Sequence, residues 1–278
     1  MKIYKTLNAI VIEQDDLFYL LEGEDWDDFI NHDDLYTRVQ NRLSGMQPDA
    51  NAKGLINATL MAPMGTQELW ASGVTYKRSK EGRQEESKDA GGADFYQRVY
   101  EAERPELFFK ATAARTVGSG GQVRIRKDST WDVPEPELVL MISSNGKIIG
   151  YSIGNDMSSR SIEGENPLYL PQAKTYDACA ALGPCIYISE EPLPNETKIA
   201  LNINRNAYSV FSGEIEISQI TRSFEQLAEF LFRECSFPTG ALLMTGTGIV
   251  PGSDFTLQGG DEINISIDGI GVLTNTVA

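Results

Sequence analysis

The 278-residue chain reads as an α+β protein, mostly β, with a small N-terminal domain over residues 1–66 and a larger one over 67–278. Three observations predict this. Beyond Leu107 the apolar runs are short, as in Leu138 to Ile142, Ile148 to Ile153 and Ile263 to Ile267, and glycine-rich turns separate them. One clear helix interrupts them, Ser223 to Cys235, with Phe224, Leu227, Phe230, Leu231 and Cys235 on one face and a capping-box pattern in Ser223 and Gln226. Strands this numerous with so few helices argue against a dinucleotide-binding fold.

Taken in order, Ile10-Val11-Ile12 and Phe18-Tyr19-Leu20-Leu21, separated by Asp15-Asp16, predict a short hairpin. Leu35 to Leu43 has helical spacing, Asp49 to Gly54 reads as a loop, and the small domain ends near Thr66. Val74 to Gly92 is polar and charged, a solvated helix or loop in which Lys77 and Glu81 pair at i,i+4. Asp94 to Glu103 has helical character, with Phe95, Val99 and Ala102 at spacings of four and three, and Pro105 ends it. Val117-Gly118-Ser119-Gly120-Gly121 looks like a phosphate loop only at first sight, because no Lys-Ser/Thr follows and no helix opens there.

Charge and rare residues narrow the function. With 24 basic and 40 acidic side chains the net charge is −16, which repels nucleic acid and anionic membrane and leaves a small molecule as the expected partner. An anionic substrate stays open, since a bound cation reverses the local field. No window approaches a membrane span, no secretory leader is visible, and Cys179, Cys185 and Cys235 sit at no zinc spacing. They are expected to be small buried hydrophobes in a reducing cytoplasm. The single histidine, His32, lies in the polar run Asn31-His32-Asp33-Asp34. Serine–histidine hydrolysis and histidine-rich zinc sites therefore drop out.

Chemistry concentrates around carboxylates. In Val133-Pro134-Glu135-Pro136-Glu137-Leu138, two acids stand at i and i+2 at the mouth of an apolar strand, so both point to one face. Taken alone, such a pair is an ordinary exposed strand entrance. Adjacent anions need neutralising, and a divalent cation with oxygen ligands, Mg²⁺, Mn²⁺ or Ca²⁺, does so. A third acid, Asp156, ends the strand Gly150 to Asn155 and precedes Met157-Ser158-Ser159-Arg160. Ala173-Lys174-Thr175-Tyr176-Asp177, Leu182-Gly183-Pro184, Thr245-Gly246-Thr247-Gly248 and Gly260-Asp261-Glu262 follow.

The ordered set Glu-x-Glu, Asn-Asp-x-x-x-Arg, Ala-Lys-x-x-Asp, Leu-Gly-Pro, Thr-Gly-Thr-Gly and Gly-Asp-Glu resembles the fumarylacetoacetate hydrolase superfamily over about Gly73 to Val277. The resemblance implies a mixed β-roll catalytic domain, a homodimer or homotetramer, and Mg²⁺ or Mn²⁺ (Ca²⁺ in a crystal) chelated by a 2-oxo acid. It assigns Glu135, Glu137 and Asp156 to the metal, and Arg160, Lys174 and Thr247 to the substrate's carboxylate and oxo group.

One departure matters. Hydrolases of the superfamily carry Tyr-x-x-His and a nearby Glu that activate water. Here Tyr76-Lys77-Arg78-Ser79 keeps the frame, with Ser79 in the histidine position and Gly82 in that of the glutamate. A serine hydroxyl does not take a proton at neutral pH as imidazole does. Ser72 to Tyr76, Arg104 to Lys110 and Ile162 to Pro171 resemble a narrower group, the 2-keto-3-deoxy-D-arabinonate dehydratases. The implied reaction is Mg²⁺-dependent dehydration of a 2-keto-3-deoxy pentonate to 2-oxoglutarate semialdehyde. Lys174 and Glu106 are the proton-moving candidates, Lys110 is a neighbour able to tune them, and Ser79 is a substrate contact. The rival readings are a hydrolase cleaving a C–C bond of a 2,4-diketo acid and a metal-stabilised binding protein.

Overall fold

The computed structural model describes residues 1–78 and 93–278. Among them, two sheets hold nearly all the strands. The larger runs, strand by strand, Leu17–Glu22, Ala9–Gln14, Lys2–Lys5, Ala180–Tyr187, Ile148–Asp156, Pro136–Ile142, Ala241–Met244, Glu68–Gly73 and Glu106–Ala111, with Thr116–Val117 joined in parallel to Ala180–Tyr187. The smaller runs Tyr208–Glu216, Lys198–Arg205, Glu262–Ile267, Gly271–Val277 and Gln122–Val123. The mostly β, mixed-sheet expectation is met.

The larger sheet is covered on both faces. One face packs Leu138, Leu140, Ile142 and Ile153 against Leu201, Ile203, Ile263 and Ile265 of the smaller sheet, and against Leu227 and Leu231 of the helix Phe224–Phe232. The other packs Val139, Met141, Leu182 and Leu242 against Trp26, Ile30, Leu35, Val39 and Leu43 of the helices Trp26–Ile30 and Leu35–Leu43. Burial on both faces explains why Pro136–Ile142 is apolar throughout, apart from Glu137 at its mouth. It also fixes the register. A slip of one residue would carry Glu137 into the inter-sheet core and turn each apolar side chain to the wrong face, at about 1.5–3 kcal/mol for every one left exposed.

Local expectations mostly hold. Ala9–Gln14 and Leu17–Glu22 form the hairpin, with Asp15 and Asp16 both at positive φ (52° and 63°), the two-residue geometry that matches strand twist. Lys2 pairs with Tyr187, so the N-terminal strands continue the larger sheet. Four readings need correction. Asp49 to Gly54 is not all loop, because the helix Ala52–Thr59 starts inside it; the Asp49 carboxylate accepts from the Asn51 amide at 2.7 Å and turns the chain into that helix. Val74 to Tyr76 is buried rather than solvated, being packed against the 245–248 turn. Cys235 is exposed, since its helix ends at Phe232 and leaves it beyond the apolar face; Cys179 and Cys185 are buried as expected. Ser223 caps that helix through the Gln226 amide, but the Gln226 side chain donates to the Glu103 carbonyl instead of closing the box.

Candidate metal centre

Glu135, Glu137 and Asp156 meet where two antiparallel strands end. Gly154 pairs with Glu137 and Asn155 with Pro136, and the Asp156 amide donates to the Glu135 carbonyl at 3.0 Å. Pro134 and Pro136 have no N–H to offer the ladder, and Glu135 and Glu137, at i and i+2, lie on one face of it. Gly154 sits where a Cβ would lie 2.7 Å from Val139 and Met244 side-chain atoms, so no larger residue fits beside Glu137. One carboxylate oxygen from each of the three acids lies within 4.8 Å of the others, and all three residues are buried.

Cations surround them. Lys174, at the end of the helix Leu170–Lys174 and 0 % exposed, donates to Glu135 Oε2 at 2.6 Å, Asp156 Oδ2 at 3.0 Å and Ser158 Oγ at 2.6 Å. Its ammonium also lies 5.7 Å from the centre of the Phe108 ring. Arg160, first residue of the helix Arg160–Glu165, donates to Glu135 Oε1 at 2.5 Å, and its backbone N–H is held by the Trp131 carbonyl. Arg160 and Glu163, three residues on in the same helix, are both buried. Lys110 forms an ion pair with Asp156 Oδ1 at 2.5 Å and donates to the Met157 carbonyl at 2.9 Å and to the Lys174 carbonyl.

Glu137 has a different partner. Gly246, at φ 94°, turns its N–H onto Glu137 Oε2 at 2.5 Å, and a Cβ there would strike Thr75 Oγ1. Thr247 follows directly, buried, its hydroxyl 3.2 Å from both the N–H and the carbonyl of Ile249. Glu106 lies four residues before Lys110 on the same strand, its Oε2 buried without a hydrogen-bond partner and pressed on Gly73. It makes no hydrogen bond to the three acids among the described residues. Ser79 lies outside the described residues, as do Gly82 and the Glu81 expected to pair with Lys77.

The acids are electrically unequal. Burial, reinforced by Asp156 and Glu135, holds the Glu137 carboxyl well above its ordinary range. Burial pushes Asp156 the same way, but Lys110 and Lys174 together outweigh it and hold Asp156 below its ordinary range. Between the ordinary carboxyl range and the raised Glu137 value, the native chain keeps a proton that the unfolded chain has lost. Stability of the metal-free protein therefore falls as pH rises through that window. A divalent ion must displace this proton, so Mg²⁺ affinity should rise with pH across the same window. Calorimetric titrations in buffers of different ionisation enthalpy should show net proton release; equal heats in all buffers would remove Glu137 from the site.

The donor set suits a hard cation. Three carboxylate oxygens with neither imidazole nor thiolate among them match Mg²⁺ or Mn²⁺ better than zinc. Lys110, expected as a tuning neighbour of the proton-moving residues, is found against Asp156, a contact spacing did not give, and the Gly246 amide is left wholly unassigned by spacing. A charged residue closing an apolar strand was the available signal for the first; the second is backbone and leaves none.

Residues 69–278 match the family model described as fumarylacetoacetate (FAA) hydrolase C-terminal. A Haloferax volcanii protein named probable 2-keto-3-deoxyxylonate dehydratase is 47% identical over 244 residues, covering 87% of this chain and 83% of the relative. The 2-dehydro-3-deoxy-D-arabinonate dehydratase of Saccharolobus solfataricus is 43% identical over 217 residues, covering 77% and 73%. A solved structure of 2-keto-3-deoxy-D-arabinonate dehydratase complexed with magnesium and 2,5-dioxopentanoate superposes with a TM-score of 0.84 at 34% identity, covering 100% of this chain and 98% of that one. With three quarters of its length matched by the family model and relatives 47% and 43% identical over 87% and 77% of it, the chain belongs to the fumarylacetoacetate hydrolase family.

Proposed function

We propose that the protein is a Mg²⁺-dependent dehydratase that converts a 2-keto-3-deoxy pentonate into 2,5-dioxopentanoate, the semialdehyde of 2-oxoglutarate. The observation that carries the reading is the buried Glu135–Glu137–Asp156 triad with the Lys174 ammonium lying across two of its members. The activities and the magnesium complex of the relatives named above support it, and so does the lack of any imidazole outside His32. A hydrolase of the family needs a base for water, and the position expected to supply it is Ser79.

Glu135, Glu137 and Asp156 hold the cation. When bound, Mg²⁺ polarises the 2-oxo group and so acidifies the C3 hydrogens. Arg160, Lys174, Thr247 and Ser79 hold the carboxylate and oxo oxygens. Lys174 handles the C3 proton, and Glu106 attends C4. The C3–H and C4–O bonds break, a C3=C4 bond forms, and the hydroxyl leaves as water with one proton. A second proton shift, from C5 back to C3, then yields the enol of the aldehyde, so atoms balance as substrate to product plus one water. None of these steps needs an activated water. The reading includes a homodimer or homotetramer, supported by exposed Tyr208, Val210 and Val272 on the smaller sheet. It also places the protein in the cytoplasm, supported by three free thiols; no helix among the described residues is long and apolar enough to cross a membrane.

Substrate deuterated at C3 should lose deuterium to solvent, in product or in recovered substrate, and the product should be lighter than substrate by one water. Mass spectrometry reads both. Retention of the C3 label, with one oxygen from labelled water entering a carboxylate fragment, would replace dehydration by C–C hydrolysis while leaving the metal site intact.

A further inference from the structure

Each carboxylate of the triad has one oxygen against a group of the chain other than Lys174, by a hydrogen bond at Glu135 and Glu137 and by an ion pair at Asp156. Glu135 Oε1 accepts from Arg160 at 2.5 Å, Glu137 Oε2 from the Gly246 N–H at 2.5 Å, and Asp156 Oδ1 faces the Lys110 ammonium at 2.5 Å. Of the three remaining oxygens, Glu135 Oε2 and Asp156 Oδ2 accept hydrogen bonds from Lys174 at 2.6 and 3.0 Å, contacts that an entering cation would have to replace.

Lys110 has no freedom to release its oxygen. It is 0 % exposed and is held by the Met157 and Lys174 carbonyls as well as by Asp156. Its other side meets the Tyr176 ring at 5.9 Å, so four groups converge on one ammonium. The strand itself aims it. Leu69 pairs with Ala111 and Trp70 with Phe109, which makes Lys110 the extra residue of a β-bulge, the device that redirects a side chain at the end of a ladder.

We infer that Lys110 makes Asp156 a one-oxygen ligand and thereby sets which cation this site prefers. Mg²⁺ is small, octahedral and takes single oxygens, whereas Ca²⁺ takes six to eight oxygens and commonly grips a carboxylate by both. With one oxygen of each acid occupied by the protein, the triad supplies three ligand atoms, enough for a small ion that a chelating substrate and water complete, and few for a large one. Arg160 contributes the same restraint at Glu135 but also faces the substrate, and the Gly246 donor is backbone. Lys110 is the restraint that a substitution removes without touching a proposed substrate contact.

The inference rests on the metal site proposed above, and calorimetry separates the two. Metal-stripped wild type and Lys110→Met are titrated with Mg²⁺ and with Ca²⁺. The expected result is a Ca²⁺-to-Mg²⁺ affinity ratio raised about tenfold or more in the variant, the scale on which partners of metal ligands act. An unchanged ratio overturns the role of Lys110 even when both affinities rise, because deleting one positive charge strengthens binding of two divalent ions alike. A structure of Ca²⁺-loaded wild type tests the same point without any variant: Asp156 bound through one oxygen supports the inference, and Asp156 bound through both overturns it. Wild type that binds neither ion would instead remove the metal site.

Discussion

Glu137→Gln and Asp156→Ala should both abolish turnover, by on the order of a thousandfold or more, yet move stability in opposite directions. Each removes one anionic oxygen from a hard cation, so calorimetry should show Mg²⁺ binding weakened in both. The metal-free proteins should differ. Glu137 is an acid forced upward by burial and by two anionic neighbours, so a neutral amide relieves repulsion, and the melting temperature in chelator should hold or rise. Asp156 is the counter-charge of Lys110 and Lys174. Deleting it strands buried ammonium groups, a loss of about 3–5 kcal/mol. Wild-type activity in either variant would show that the ion, if bound at all, sits elsewhere.

Lys174→Met carries the second large effect. The side chain keeps its approximate length while three hydrogen bonds disappear, to Glu135, Asp156 and Ser158. Loss of charge-assisted hydrogen bonds to an anionic substrate costs about 1.5–3 kcal/mol each, roughly 10- to 150-fold in affinity. Binding of a 2-oxo acid inhibitor to the Mg²⁺-loaded variant should fall by at least the lower figure, and kcat should fall further if the same ammonium handles the C3 proton. Arg160→Leu should weaken binding without the additional loss in kcat. Unchanged inhibitor affinity in both variants would take the two cations out of substrate recognition.

The acidic triad was legible because its signals are local. Two glutamates at i and i+2 must share a face of a strand, and a strand that ends in Asn-Asp brings a third acid to the same rim. Order of motifs supplied the rest of the family reading. What stayed hidden depends on contacts far apart in sequence. The bulge that turns Lys110 toward Asp156 arises from pairing with Leu69 and Trp70, and nothing within Glu106–Ala111 announces it. Gly246 reaches Glu137 across 109 residues through its backbone N–H, a donor carried by every residue but proline and so without a signature of its own. The misread segments fail for a related reason. Ala52–Thr59 contains Lys53, Gly54 and Asn57, a weak local case for a helix, and it is held by Leu55 and Ile56 packing on the core. Val74 to Tyr76 head a stretch, Val74 to Gly92, that is polar and charged in composition, and only the turn folded over them shows that they are interior.

One feature of the larger sheet bears on how the chain is made. Ala241–Met244 fills a central slot, parallel to Glu68–Gly73 on one side and antiparallel to Pro136–Ile142 on the other. Its neighbours leave the ribosome first, and 241 − 142 = 99 positions separate its start from the end of the nearer one. At about 5–20 residues per second, that is roughly 5–20 seconds during which two ladder edges face each other unfilled. The edge of Pro136–Ile142 is apolar beyond Glu137, the kind that recruits foreign strands. Stalled or truncated translation products ending before Met244 should accordingly be bound by chaperones or be insoluble, whereas loss of residues from the sheet's outer hairpin leaves the central slot filled.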